Sequence, residues 1–391
     1  MLRIVNKRKR IIAQTLDFVG YPLFKAFSLL RSDKKPIKDI KNILAVRSAY
    51  IGDVVLTIPA IKLLADRFPQ AKICFLTSSA AKNVLEKNPY IDEIITYDAP
   101  WFYRFYPWRR YSALSDYVRL LKMIRAKKFD MAIDFRGDLR DILLIIFLSG
   151  ANRRVSYGIT GGGYLLTNVV PYEGQKHKVQ FHLDILRTLG ANGIPDTMNL
   201  YPSTEDSSTV ERLLQEQGLK QGAILAGLHP GGRVKLKCWD IKYYAEVADA
   251  LTKRYGMNII ITGGPDEVDI GEALLRFMKR KGFNLCGKLS LRQLQVLMKK
   301  MHLFITNDTA SLHIASGANT PTIAIFGPSE VWDTGPLSEK RKIIIKELSC
   351  RTTCDTYRCR NKNYHECLKS IKPPEVLEAC AEILESKFTK G

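Results

Sequence analysis

The 391-residue chain carries 60 Lys and Arg against 39 Asp and Glu, a net charge of +21, with 46% hydrophobic and 9% aromatic residues. That hydrophobic content excludes general disorder, and 26 Gly without a period of three, with eight Cys spread over this length, exclude a collagen-like or disulfide-stapled chain. The length suits two domains and the charge suits an anionic partner.

Residues 1–42 hold eleven Lys or Arg against Asp17, Asp33 and Asp39, a local charge of +8. Ile11, Leu16, Val19, Leu23, Phe24, Phe27, Leu29 and Leu30 recur roughly as on one face of a helix. A basic amphipathic segment of this kind suits an anionic bilayer surface, where each Lys or Arg contributes about 1 kcal/mol. A helix packed on the body with a solvated basic face is the alternative. No run approaches eighteen apolar residues, and no apolar segment with a small-residue cleavage site follows the basic N-terminus. Neither a membrane span nor a secretory signal is expected, which places the thiols in a reducing cytosol.

From Ile43 onward, apolar runs alternate with helical patterns: strand 43–46, helix 54–68, strands 72–76 and 94–97, helix 114–127, strand 130–133, helix 139–148. Pro195, Pro202, Ser203, Thr204, Ser207 and Ser208 read as a linker. The rhythm then restarts with strand 223–228, helix 243–255, strand 258–262, helices 266–281 and 291–299, strand 303–306, helix 308–317, strand 322–326 and a last helix 373–388. Repeated strand–helix units predict an α/β fold with parallel sheets covered on both faces. The expected organisation is a basic segment at 1–42, one domain at 43–200, a second at 201–370 and a C-terminal segment at 371–391. Open parallel sheets bind ligands beyond their carboxyl ends, so two such domains facing a cleft can hold two substrates, an arrangement that suits group transfer.

Three strand ends carry the chemistry. At Arg47-Ser-Ala-Tyr-Ile-Gly-Asp53 a strand leads through Gly52 into a helix starting near Asp53. Asp53 can cap that helix, or, at a strand tip, act as a general base on an acceptor hydroxyl. At His229-Pro-Gly-Gly-Arg-Val-Lys-Leu-Lys237-Cys-Trp239, Gly231 and Gly232 let backbone amides approach a ligand closely, and Arg233, Lys235 and Lys237 supply the charge for a diphosphate. At Thr306-Asn-Asp308-Thr309-Ala310-Ser311 a strand meets a helix N-terminus that attracts phosphate; Asp308 suits sugar hydroxyls or capping, and His313, one turn in, suits the core. Between them, Gly263-Gly-Pro-Asp266-Glu267 offers carboxylates to ribose hydroxyls. The dinucleotide and Walker A fingerprints are both absent.

Taken together, Ser48–Ala60, His229–Gly232 with Lys237-Cys238-Trp239, and Thr306–Thr309 with His313 and Phe326-Gly327-Pro328 resemble glycosyltransferase family 9, the lipopolysaccharide heptosyltransferases, over residues 43–385. The resemblance implies a GT-B fold of two Rossmann-like domains, with the C-terminal helix packing back across the hinge. It also implies inverting, metal-independent transfer of heptose from ADP-heptose to the inner core of lipopolysaccharide. It makes Asp53 the base and sets Lys237, Gly231, Gly232, Thr309 and Ala310 on the donor diphosphate, Asp308 on the donor sugar and Glu267 on the ribose. Family members commonly have Gly at the position of Ala310, and Lys-Arg-Trp-Pro where this chain has Lys237-Cys238-Trp239-Asp240.

On the acceptor side, residues 101–111 pack seven aromatics with Arg104, Arg109 and Arg110, and Arg136 and Arg140 follow a nearby strand. Arg forks match phosphate and carboxylate, so Arg104, Arg136 and Arg140 are candidates to seat an anionic glycolipid of the lipid A–Kdo type. The expected location is cytoplasmic, peripheral on the inner membrane face. Cys350, Cys354, Cys359 and Cys367 can hold structural zinc, with free thiols or a local disulfide as alternatives. Two rivals remain: a glycosyltransferase using another nucleotide sugar, and a basic nucleic-acid-binding protein, although no nucleic-acid motif is present.

Overall fold

The structure, a computed structural model, describes residues 11, 13–15, 17–22, 39–101, 113–193, 195, 197–354 and 358–388. It divides into two compact units, residues 1–197 and 198–391.

The first unit is built on strands β1 (Asn42–Arg47), β2 (Lys72–Thr77), β3 (Glu93–Thr96), β4 (Met131–Asp134), β5 (Arg153–Ser156) and β6 (Asn168–Val169). All pair in parallel, in the order β3-β2-β1-β4-β5-β6. The second unit repeats that order with β7 (Leu225–His229), β8 (Asn258–Ile261), β9 (Gly282–Asn284), β10 (Leu303–Asn307), β11 (Thr322–Phe326) and β12 (Arg341–Ile345), arranged β12-β11-β10-β7-β8-β9. Central strands such as Leu303–Asn307 are buried along their whole length, as a sheet covered on both faces requires. Helix Pro373–Phe388 sets Val376, Cys380, Ile383 and Leu384 into the core of the second unit beside Tyr244, Ile323 and Ile325.

The strand order reverses between β1 and β4 and again between β7 and β10. Loops leaving the carboxyl ends at such points diverge and open a crevice for a ligand. Arg47 and Asp134 end one such pair, and His229 and Asn307 end the other.

Several elements differ from the sequence expectation. The helix read at 54–68 is two helices, Ile51–Val55 and Ile58–Arg67, because Pro59 has no N–H to continue the ladder. Gly52 is therefore already helical, and Asp53 lies inside the first turn rather than capping it. The run at 139–148 is three α-helical residues followed by a wider π-type turn, Ile142–Phe147. The Ser/Thr stretch read as a linker begins helix Thr204–Glu216: Ser203 accepts from Asp206 N–H, and Asp206 returns the bond to Ser203 N–H. Strands β5, β6, β9 and β12 carried no sequence expectation.

Candidate functional site

In the first unit, β1 delivers Arg47 to its carboxyl end and helix Ile51–Val55 returns Asp53 towards it. Arg47 Nη2 donates to Asp53 Oδ1 at 3.0 Å. Lys178, from the start of helix Lys178–Arg187, donates to the same oxygen at 3.4 Å. Burial would raise the Asp53 pKa, but Lys178 and Arg47 outweigh it and hold the carboxyl well below the ordinary carboxylate range. One turn along, buried His182 donates from Nδ1 to Leu56 O at 3.0 Å. Burial, with Arg47 nearby, pushes its pKa down to about 3, so the ring is neutral at pH 7. Neither Lys178 nor His182 was singled out from sequence, because each reaches Asp53 from more than a hundred positions away.

At the end of β4, Asp134 accepts from Arg136 N–H, Gly137 N–H and the Ser156 hydroxyl. The two candidate arginines are already engaged by carboxylates: Arg140 forks onto both oxygens of Asp138 at 2.8 and 2.6 Å, and Arg136 lies 3.5 Å from Asp138 and from Asp141. Asp141 is fully buried and accepts from Trp101 Nε1–H at 3.0 Å. Burial, and then the neighbouring Asp134, push its pKa up to about 7. Arg104 and the aromatics at 102–111 lie outside the described residues, as do most of the basic residues of 1–42. Residues 17–22 are helical, with Asp17 accepting from Gly162 N–H and with Phe18 and Tyr21 exposed.

In the second unit the sequence candidates converge. Lys237 Nζ donates to Asp308 Oδ2 at 2.6 Å, and Thr334 donates to the other oxygen at 3.4 Å. Burial would raise the Asp308 pKa, but the Lys237 ammonium holds it below its ordinary value. Asn307, in the motif but given no role from sequence, stitches the two loops: its Nδ2 donates to Pro230 O and Gly231 O, and its Oδ1 accepts from Trp239 N–H and the Tyr244 hydroxyl. A Cβ on Gly232 would lie 3.1 Å from Thr309 Cγ2, and one on Gly231 would collide with Glu267 Oε1. The glycines therefore hold the first loop against both Glu267 and the start of helix Ala310–Gly317. Thr309 occupies the N-cap position of that helix without capping it, its hydroxyl instead meeting Ser311 Oγ at 2.6 Å. Glu267 Oε2 accepts from Gly264 N–H and stands 3.8 Å from His229 Nε2. Two carboxylates, a lysine and the amides of a helix start, carried on neighbouring strand-end loops, can bind a nucleoside diphosphate and the sugar it carries.

The cysteine cluster departs from the zinc expectation. Among the described residues no group of three or more His, Cys, Asp or Glu is placed to hold a metal ion. Cys350, Cys354, Cys359 and Cys367 are free thiols, and three of the sulfurs accept hydrogen bonds from Asn361 Nδ2, Arg360 N–H and His365 N–H in turn. Among the described residues, too, no helix is long and apolar enough to cross a membrane.

Comparison with known proteins matches residues 117–365 to the model of "Glycosyltransferase family 9 (heptosyltransferase)". A lipopolysaccharide heptosyltransferase 3 from Escherichia coli is 28% identical over 353 residues, 87% of this chain and 98% of that protein. A family 9 glycosyl transferase from Veillonella parvula superposes with a TM-score of 0.75 at 22% identity, covering 90% of this chain and 100% of the other. The E. coli ADP-heptose lps heptosyltransferase II superposes at 0.69, also at 22% identity, over 89% and 99% of the two chains. With the family match spanning more than half of its length and both sheets in the Rossmann-like order of a GT-B enzyme, this chain belongs to glycosyltransferase family 9 and is a glycosyltransferase.

Proposed function

We propose that this glycosyltransferase moves heptose from ADP-heptose onto the inner core of lipopolysaccharide, with inversion at the anomeric carbon and without a metal ion. The observation that carries the donor half of this reading is the convergence of Lys237, Asp308, Gly231, Gly232, Thr309, Ala310 and Glu267 beyond the carboxyl ends of β7, β8 and β10. The names of the relatives, lipopolysaccharide heptosyltransferase 3 and ADP-heptose lps heptosyltransferase II, supply the sugar and the acceptor. In this reading residues 201–370 take the nucleotide sugar and residues 43–200 the anionic glycolipid, through Arg136, Arg140 and Arg104.

Breaking the bond between the anomeric carbon and the diphosphate leaves cationic character on the sugar and negative charge on the leaving group. Lys237 and the amides from Thr309 onward are donors fixed in advance for that charge, the condition under which electrostatic stabilisation is strongest. Asp53 takes the acceptor hydroxyl proton as the new carbon–oxygen bond forms, a contribution of about 10²- to 10⁴-fold. The chain works on the cytoplasmic face of the inner membrane, in keeping with the exposed Phe18 and Tyr21 beside the basic N-terminal sequence.

The test is turnover of ADP-heptose with a heptose-deficient core acceptor, the product read by mass spectrometry against other nucleotide sugars. Asp53→Ala should lower kcat by about 10²- to 10⁴-fold and leave donor affinity nearly unchanged. An unimpaired rate removes Asp53 from the mechanism, and preference for another donor removes ADP-heptose.

A further inference from the structure

We propose that Lys178 is a positioning residue for the transfer: it shares Oδ1 of Asp53 with Arg47, and this leaves Oδ2 as the oxygen that takes the acceptor's proton. The inference rests on the reading of Asp53 as the base.

The arrangement is unequal in three ways. Both cations donate their hydrogen bonds to one oxygen, at 3.0 and 3.4 Å, and among the described residues no side-chain hydrogen bond reaches Oδ2. Arg47 is almost wholly enclosed, with 6% of its side chain exposed, whereas Lys178 keeps 30%. Lys178 is also the first residue of helix Lys178–Arg187, where the helix presents its positive end and a cation is unfavourable. The helix itself gains nothing from a cation at this position, whereas the Asp53 carboxylate does.

Arg47 is thus the enclosed cation and Lys178 the one that solvent and an acceptor can reach. The charged and titratable groups facing Asp53 are Arg47 from β1 and Lys178 and His182 from helix Lys178–Arg187. His182 is neutral throughout the working range. With both cations in place the carboxylate stays ionised into acid solution but is a weak base. An acceptor carrying phosphate or carboxylate draws the exposed ammonium towards itself, and the proton affinity of Asp53 rises while the acceptor is bound. The proton passes from the acceptor oxygen to Oδ2. The acceptor oxygen bonds to the anomeric carbon, and the electron pair of the broken carbon–oxygen bond leaves with the diphosphate.

The experiment is the pH profile of kcat/KM, with Lys178→Met and Lys178→Gln compared with Lys178→Arg in the full chain, folding being checked by circular dichroism. Losing the ammonium should move the acid limb of the free enzyme upward by about one pH unit or more and raise the acceptor KM more than the donor KM. Lys178→Arg should restore both. Acceptor and donor KM values that change equally, or not at all, in both neutral variants overturn the role of Lys178, provided Asp53→Asn is inactive. An active Asp53→Asn removes the base itself, and this inference falls with it.

Discussion

Lys237 and Asp308, 71 positions apart, meet at 2.6 Å, with the carboxylate almost wholly buried and the ammonium one-third exposed. The pair closes the loop after β7 onto the loop after β10, so two motifs that are distant in sequence form one surface.

Removing the lysine strands a buried carboxylate. Lys237→Met should lower stability by about 1–3 kcal/mol, and nucleoside diphosphate affinity should fall at least about tenfold. Adding Asp308→Asn should recover much of the stability but not the affinity. Urea unfolding and calorimetric titration with ADP separate the two effects.

Gly231 is small because Glu267 occupies the space of a side chain. Gly231→Ala should push Glu267 aside and destabilise the second unit by about 1–3 kcal/mol. The double variant Gly231→Ala/Glu267→Ala should regain most of the loss. Equal melting temperatures for wild type and Gly231→Ala would show that the glutamate gives way freely.

Asp141 gives a pH signature of stability. Its pKa rises from an unfolded value near 3.8 to about 7 on folding, so between those values the folded chain holds a proton that the unfolded chain releases. Stability from this group is therefore full below about pH 4 and is lost as pH rises towards 7, with a slope of at most about 1.4 kcal/mol per pH unit. Asp141→Asn keeps an acceptor for Trp101 Nε1–H and should flatten that slope, read from urea unfolding at pH 5, 6, 7 and 8.

Ser203→Ala removes one arm of the reciprocal cap on helix Thr204–Glu216 and should cost about 1 kcal/mol, seen as a lower urea midpoint at unchanged m-value. No change would mean that Arg292, 3.3 Å from Asp206, holds the helix start unaided.

The central strands were legible because each is a short apolar run that gives way within a few residues to a glycine, serine or aspartate. The strands that escaped are short or lie towards the sheet margins. Of these, β6 has two residues, β9 reads Gly-Phe-Asn, and β5 and β12 open with exposed or half-exposed basic residues where burial no longer selects apolar side chains. The capping signal at Ser203 and Asp206 stood in plain sight, but the surrounding Ser, Thr and Pro favoured a linker. The candidates adjacent to strand tips, such as Asp53 and Asp308, were singled out from pattern alone. Lys178, His182 and Asp141 were not, since their significance comes from partners that only the fold brings near.

Each sheet draws all six of its strands from one uninterrupted half of the chain. During synthesis at about 5–20 residues per second, the leading half has every strand it needs while the trailing half still requires about 10–40 seconds to be made. Residues such as Asp53, Arg47 and Lys178 are therefore able to reach their mutual arrangement on the ribosome before the lysine and aspartate of the nucleotide loops have been translated.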